Sequence, residues 1–328
     1  MESYHCPICN SDNCKEFLII NYVEAGDLLS SNKEKRASIS NIVKSIWKQD
    51  DASFVKCNTC QFAFSHPFIA GNGEYYSLAY NEEIKYPTTK WEYEKTIQVI
   101  QNLSGKDDLK LLEIGAGDGA FLSLISPKFI KKENIVSTEY SESGLEKIEQ
   151  KGIKCLSVSI EEVAQEQKLK KFDVVCMFQV LEHIDDIHTF LKSLNELLNH
   201  KAKVFIAIPN ALQREFYDKH GIYYDIPPTH IGRYHKETIE FICSLNGWKL
   251  RDFAYEPMSY KKKVSKFYTE RYSKIAVSEK IEKINSRFIK ILLRYILIFG
   301  IFMRYLNVFI KLKSNKLGTS SWFYIEKE

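Results

Sequence analysis

The stretch LKLLEIGAGDGAFLSLI, Leu109 to Ile125, constrains this chain more than any other. Residues Leu109 to Ile114 fit an apolar strand, Gly115, Gly117 and Gly119 fit a tight turn, and the residues after them read as a helix. Glycines there let a ligand approach the main chain closely, and the helix N-terminus offers unsatisfied N–H groups. The spacing is G-x-G-x-G, which differs from the G-x-G-x-x-G of dinucleotide-binding turns. Alone, the pattern says only that a strand, a turn and a helix follow one another.

The surrounding segments add to it. NIVSTEY reads as a second strand ending in Glu139, an acid placed where it can take both hydroxyls of a ribose. A short strand near IKCLSVS, a buried-type strand FDVVCMF, a helix DIHTFLKSLNELL and a strand KVFIAIPN follow. Strands alternating with helices predict a parallel sheet covered on both faces, with ligands at the carboxyl ends of the strands. A helix over about Lys90 to Leu103 precedes the series.

The cysteines gather at the other end of the chain. CPIC (Cys6 and Cys9) and CNTC (Cys57 and Cys60) each put two thiols on a tight turn, and two such knuckles make a closed four-sulfur site for a tetrahedral zinc ion. A closed site has no open position for substrate, so its role is structural. The 47 residues between the knuckles imply an inserted element, with KRASISNIVKSIW as its helix. Reduced cysteines in a small satellite core are the alternative, and Cys14, His5 and His66 are substitute ligands. No basic region followed by an apolar run is visible at the N-terminus, which predicts a cytoplasmic protein.

LLEIGAGDG, STEYSESGLEKIEQKGI, FDVVCMFQVLEHIDD and KVFIAIPN, in that order, resemble the successive motifs of class I S-adenosylmethionine-dependent methyltransferases. The likeness covers roughly Leu109 to Phe253, and VLEHIDD narrows it to a branch with many small-molecule and sugar methyltransferases. It implies an α/β, Rossmann-like sheet of seven strands whose last strand is antiparallel, with S-adenosylmethionine as cofactor. GWKLRDFAYEP then becomes the sixth strand and SSWFYIEKE the seventh. The implied domains are a zinc-ribbon-like module over 1–68, a helical linker over 69–105, the cofactor-binding core over 106–257, a helical insertion over 258–318 and the final strand over 319–328. Carried over residue by residue, Glu113, Gly115, Ala116 and Gly117 lie along the methionine part, and Glu139 and Tyr140 meet ribose and adenine. Ser159 and Ile160 line the adenine, although an aspartate is usual where Ser159 stands. Phe178 and Gln179 face the sulfonium.

Methyl transfer from a sulfonium is an in-line displacement, so alignment matters most and a base helps when the acceptor must lose a proton. Two histidines compete for that role. His183 in LEHIDD often serves local architecture in such proteins, while DIPPTHIGRYHKETI resembles a P-P-x-H-x-x-x-[FY] segment at the substrate pocket. His230 there is the candidate base, or else it fixes the loop over the cofactor, and Tyr223, Tyr224, Arg233 and Tyr234 are candidate lining residues.

Charge is distributed unevenly. Between Lys261 and Lys316, 15 lysines and arginines face three acids, a net +12 that leaves −8 for the rest of a chain whose total is +4. Inside this basic part lies ILLRYILIFGIFMRYLNVFI, whose Arg294 and Arg304 argue against a membrane span. As a helix it carries a basic stripe of Lys283, Arg287, Lys290 and Arg294 on an otherwise apolar surface. Residues 280–313 therefore point to an anionic membrane surface, a homodimer or partner interface, or intramolecular packing. The expectation for function is methylation of a sugar, a glycan or a related small metabolite, the glycan being lipid-linked if the helix meets a membrane. A nucleic-acid methyltransferase and a non-catalytic assembly module are the rivals. Against nucleic acid, FQVLEH lacks the Asn/Asp-Pro-Pro-aromatic motif that holds a flipped base.

Overall fold

The computed structural model describes residues 4–30, 32–79, 87–103, 108–126, 128–166, 171–223, 225–273, 284–304 and 306–328. They fall into two units, one of residues 1–211, 224–254 and 320–328, the other of residues 212–223 and 255–319.

In the first unit, alternating helices and strands build the expected sheet. Its strands are β4 (Leu111–Ile114), β5 (Ile135–Thr138), β6 (Lys154–Leu156), β7 (Phe172–Phe178), β8 (Leu198–Pro209), β10 (Trp248–Tyr255) and β11 (Ser320–Lys327), in the order β10-β11-β8-β7-β4-β5-β6. β4 pairs in parallel with β5 and β7, β5 with β6, and β7 with β8, while β11 runs antiparallel to β8. The chain winds outward from β4 in one direction and then from β7 in the other, so the crevice at their carboxyl ends is the switch point where such sheets take ligands.

The period of two along each strand divides the core. Leu112, Ile114, Val175, Met177, Val204 and Ile206 face one side, and Leu111, Val174, Cys176, Phe178, Phe205 and Trp322 the other. The helix Ile187–Leu197 shows why these segments are helical. Asp186 accepts a hydrogen bond from Thr189 N at its start, and Ile187, Phe190, Leu191, Leu194 and Leu197 make one buried face. Two boundaries differ from the sequence reading. β5 stops at Thr138, leaving Glu139 as the first residue past the strand, and β8 begins already at Leu198 because Leu198 pairs with Phe172.

The N-terminal part forms a second sheet, β1 (Cys14–Asn21), β2 (Asp51–Cys57) and β3 (Ala63–His66), joined by β9 (Gly232–Arg233) in the order β1-β2-β3-β9. The helix Lys33–Trp47 stands between β1 and β2, over the expected KRASISNIVKSIW. β9 comes from the DIPPTHIGRYHKETI segment and pairs with β3 through Ala63 with Arg233 and Phe64 with Gly232. Cys6, Cys57, Cys60, Phe62, Phe64 and Tyr234 share one buried cluster with the helices and strands of the large sheet.

In the second unit, Phe267 of the helix Tyr260–Ser273 is buried against Phe216 and Tyr217. Gln213 Nε2 donates to Leu317 O at 3.0 Å, and Lys263 Nζ donates to Ser314 O at 2.5 Å. Gly318 packs directly on the carbonyl of Glu256, and Thr319 N donates to Glu256 Oε2 at 3.0 Å. The insertion thus leaves β10 and returns to β11 at nearly one point. Its helix Arg287–Arg304 carries Arg287, Lys290 and Arg294 as expected; Lys283 lies outside the described residues. Phe288, Leu292, Tyr295, Ile296 and Phe299 on it are exposed. No helix among the described residues is long and apolar enough to cross a membrane.

Candidate functional site

At the carboxyl end of β4, Gly115, Gly117 and Gly119 all have positive φ, at 66°, 58° and 71°. A side chain at Gly115 would also collide with Val180 Cγ2 at 2.7 Å, so the turn and the chain leaving β7 are in contact. Glu139 holds the turn from the neighbouring strand: Gly117 N donates to its Oε2 and Ser141 N to its Oε1, each at 2.8 Å. Carboxylate oxygens accept more than one hydrogen bond, so this anchoring leaves Glu139 able to take hydroxyl donors as well.

Acids dominate this end of the sheet. Glu113 is buried, and burial holds its carboxyl well above the usual range. Lys90 pulls it down, while Glu139 and Asp118 push it further up. Among the described residues, Glu113 Oε2, Asp118 Oδ1 and Gln179 Nε2 are buried atoms with no hydrogen-bond partner. Two unsatisfied carboxylate oxygens amid like charges call for a cationic ligand that brings N–H donors, because such a ligand relieves both the repulsion and the desolvation.

The other sequence candidates have distinct surroundings. Ala116 N donates to Thr138 O at 3.0 Å, and Tyr140 is 72% exposed beside Glu139. Ser159 caps the helix Ile160–Gln165. It accepts from Glu162 N at 3.2 Å, and its own N–H is taken by Glu162 Oε2 at 2.8 Å; Ile160 is buried. The Phe178 ring packs between Tyr93 and Phe121, with centroids at 4.8 and 4.9 Å. Gln179 has a φ of 62° and donates its N–H to Ala207 O at 2.7 Å, which turns the chain sharply out of β7.

That turn leads into the short helical turn Leu181–His183, and here the two histidines come together. Their rings meet edge to face with centroids 4.6 Å apart. His183 Nδ1 lies 2.5 Å from the Thr229 carbonyl and 3.0 Å from the Tyr76 hydroxyl. A carbonyl only accepts, so Nδ1 carries the proton. Burial, then the neighbouring His230, push His183 down to about 3, which keeps it neutral at physiological pH. His230 Nδ1 pairs with Asp225, the arrangement that orients an imidazole for proton transfer. Asp225 is held in turn, its carbonyl accepting from Arg233 at 2.8 Å, and the Arg233 guanidinium stacks on Phe54 at 3.9 Å. Tyr234 is buried with its hydroxyl on Leu181 O at 3.2 Å, and Tyr224 lies outside the described residues.

Asp225, Thr229, Tyr75, Tyr76 and Glu182 are the members that sequence reasoning missed. Tyr75 bonds to the Thr229 hydroxyl, and with Tyr76 it comes from the helix Gly73–Ala79 in the segment read only as a linker. The adjacent aromatics of EYYSLAY and the aspartate five residues before His230 were the available signals.

The two cysteine knuckles are built alike. Asn10 N donates to Cys6 O and Gln61 N to Cys57 O, and Asn10 and Gln61 both take positive φ. The sulfurs face one another, Cys6 with Cys60 and Cys9 with Cys57, both at 3.5 Å. The edge of a tetrahedron with zinc–sulfur bonds of about 2.3 Å is close to that separation. The hydrogen bond with Cys60 pulls the Cys6 thiol down to about 5 and raises Cys60, while burial pushes Cys9 up to about 11, so within the cluster the thiolate is favoured at Cys6.

A family profile described as a methyltransferase domain matches residues 89–252. The mitochondrial ubiquinone biosynthesis O-methyltransferase of Bos taurus is 24% identical over 161 residues, which cover 47% of this chain and 43% of that protein. The chain therefore spans less than half the length of that curated relative. Among solved structures, a SAM-dependent methyltransferase from Archaeoglobus fulgidus is 19% identical, with 72% of this chain and 92% of that chain covered and a TM-score of 0.45. The magnesium protoporphyrin IX methyltransferase of Synechocystis, solved with SAM, is 10% identical, with 72% and 78% covered and a TM-score of 0.40.

Proposed function

The chain belongs to the methyltransferase-domain family, and on that footing we propose that it moves the methyl group of S-adenosylmethionine onto a sugar, a glycan or a related small metabolite. The observation that carries the cofactor is the cluster of Glu113, Asp118 and Glu139 at the glycine turn, with two carboxylate oxygens unsatisfied. S-adenosylmethionine is cationic at its sulfur and brings an ammonium group, and when bound it supplies a methyl carbon open to in-line attack. Glu113, Asp118 and the Gly115–Gly117 backbone would hold its methionine part, Glu139 and Tyr140 the ribose and adenine, and Ser159 and Ile160 the adenine edge. Phe178 shapes the floor through its packing on Tyr93 and Phe121, with Gln179 beside the sulfonium.

On the acceptor side, His230 takes the proton: its imidazole is oriented by Asp225, so the acceptor oxygen or nitrogen can be relieved of a proton as the new bond forms. His183, pushed down to about 3, stays neutral and supports the His230 ring from its edge. Cys6, Cys9, Cys57 and Cys60 would hold a structural zinc ion that secures β3, on which β9 and the His230 segment lean. The helix Arg287–Arg304, basic and apolar together, suits an anionic lipid surface, and a lipid-linked glycan is the acceptor that such a location favours.

Calorimetry with S-adenosylmethionine tests the cofactor assignment. We expect one site per chain, weakened about tenfold or more in Glu139→Ala by loss of a ribose contact and of the anchor on Gly117. Absence of binding to the unaltered protein would overturn the proposal.

A further inference from the structure

Lys90 stands immediately before the helix Trp91–Ile100, and its carbonyl accepts from Tyr93 N at 3.1 Å and Glu94 N at 3.2 Å, which fixes its backbone at the helix start. Its Nζ lies over the Tyr93 ring, 5.3 Å from the centroid, a cation held on an aromatic face. That ring packs in turn on Phe178, the last residue of β7, with centroids 4.8 Å apart. Glu113 belongs to the same side of the sheet. It follows Leu111 by two residues on β4 and pairs with Cys176, which precedes Phe178 by two on β7, and Leu111, Cys176, Phe178 and Tyr93 share one buried cluster. Burial raises the Glu113 carboxyl, and the Lys90 charge draws it back down. Glu113 Oε2 nevertheless takes no hydrogen bond among the described residues, so the lysine acts on the acid from a distance and leaves that oxygen to a ligand.

We infer that Lys90 is a specificity-determining residue: its ammonium weakens the hold of the acid cluster on the sulfonium of S-adenosylmethionine, and so narrows the preference for that cofactor over its product, S-adenosylhomocysteine. The inference rests on the cofactor reading of this site. In the transfer the S–CH3 bond breaks with its electron pair left on sulfur, the methyl passes to the acceptor, whose proton is released, and the positively charged sulfur becomes a neutral thioether. The ammonium and carboxylate of the amino-acid end are the same in both molecules, so a protein charge that separates their affinities acts through the sulfur. Glu113, Asp118 and Glu139 by themselves favour the sulfonium, and stabilising it in the ground state raises the barrier to dispersing its charge. A lysine close by offsets that excess. Held on Tyr93, it does so without covering the carboxylate oxygens that the ammonium of the cofactor needs.

Calorimetry of the full chain with S-adenosylmethionine and, separately, with S-adenosylhomocysteine tests this at low and at high ionic strength. At low ionic strength Lys90→Met should raise the ratio of the two affinities about threefold to tenfold in favour of S-adenosylmethionine, and added salt should shrink the change. The gain should come from tighter cofactor binding, with the product nearly unaffected. Lys90→Arg keeps the charge and should keep the ratio of the unaltered protein. Lys90→Gln, polar and uncharged, repeats the test if the methionine variant fails to fold. A ratio unchanged or lowered in a folded Lys90→Met or Lys90→Gln protein overturns the inference, even if both affinities fall, because an equal loss marks a lysine that serves the helix start or the carboxylate common to both ligands. The two readings fail in different ways. No binding of either molecule to the unaltered protein removes the cofactor reading and this inference with it, whereas binding with a ratio insensitive to Lys90 removes the inference alone.

Discussion

Gly144 is a residue whose importance no local pattern announced. In the helix Glu142–Glu149, a Cβ there would meet Gly117 O at 2.5 Å, Ser141 Oγ at 2.6 Å and Glu139 Cγ at 2.8 Å, so the helix presses on the glycine turn only because this position has no side chain. Gly144→Ala should strain the contact by about 1–3 kcal/mol and weaken S-adenosylmethionine binding about tenfold. Calorimetry giving an unchanged affinity would refute the contact as a determinant. Phe178 has a different weight. Its ring is shared by Tyr93 and Phe121, so Phe178→Ala should cost roughly 3–5 kcal/mol in a denaturant titration, whatever it does to the cofactor.

Among elements, β11 depends most on its neighbours. Glu326 accepts from Lys203 of β8 at 2.5 Å and from Arg251 of β10 at 2.6 Å, tying three strands together. The hydrogen bond from Lys203 is the first cause that holds the Glu326 carboxyl below its ordinary value of 4.5. A depressed folded value means that this contribution is complete above about pH 4.5 and is lost as pH falls through the lower folded value. Glu326→Gln should therefore cost about 1 kcal/mol at pH 7, allowing for solvent at Arg251, and much less in acid. Melting curves at pH 7 and pH 3 that shift equally would contradict this. The insertion helix Arg287–Arg304 makes a prediction of another kind. Flotation with anionic liposomes should carry the full chain but leave behind a protein lacking residues 278–313, and equal flotation of both would remove the lipid surface as its partner.

For the whole molecule, the pairing of β3 with β9 is decisive, because it couples the cysteine knuckles to the loop that delivers Asp225 and His230. Cys57→Ser should release about one equivalent of zinc. It should also raise hydrogen exchange at Ile231 to Tyr234 along with the exchange at β2 and β3. Exchange confined to the knuckles would show that the two parts are independent.

The sequence by itself determined what is local. Glycines at Gly115, Gly117 and Gly119 force one turn, apolar runs of strand length make β4, β5, β7 and β8, and paired cysteines on tight turns declare a four-sulfur cluster, since each signal is complete within a few residues. Tertiary structure alone decided what depends on contact between distant segments. β9 is two residues long and has no periodicity to read; it exists because β3 has an open edge. The meeting of Glu182, His183, His230, Asp225 and Tyr76 has the same origin. Each is an ordinary polar residue in its own segment, and only the sharp exit from β7 and the hydrogen bond from Ile231 to Glu182 put them at one point.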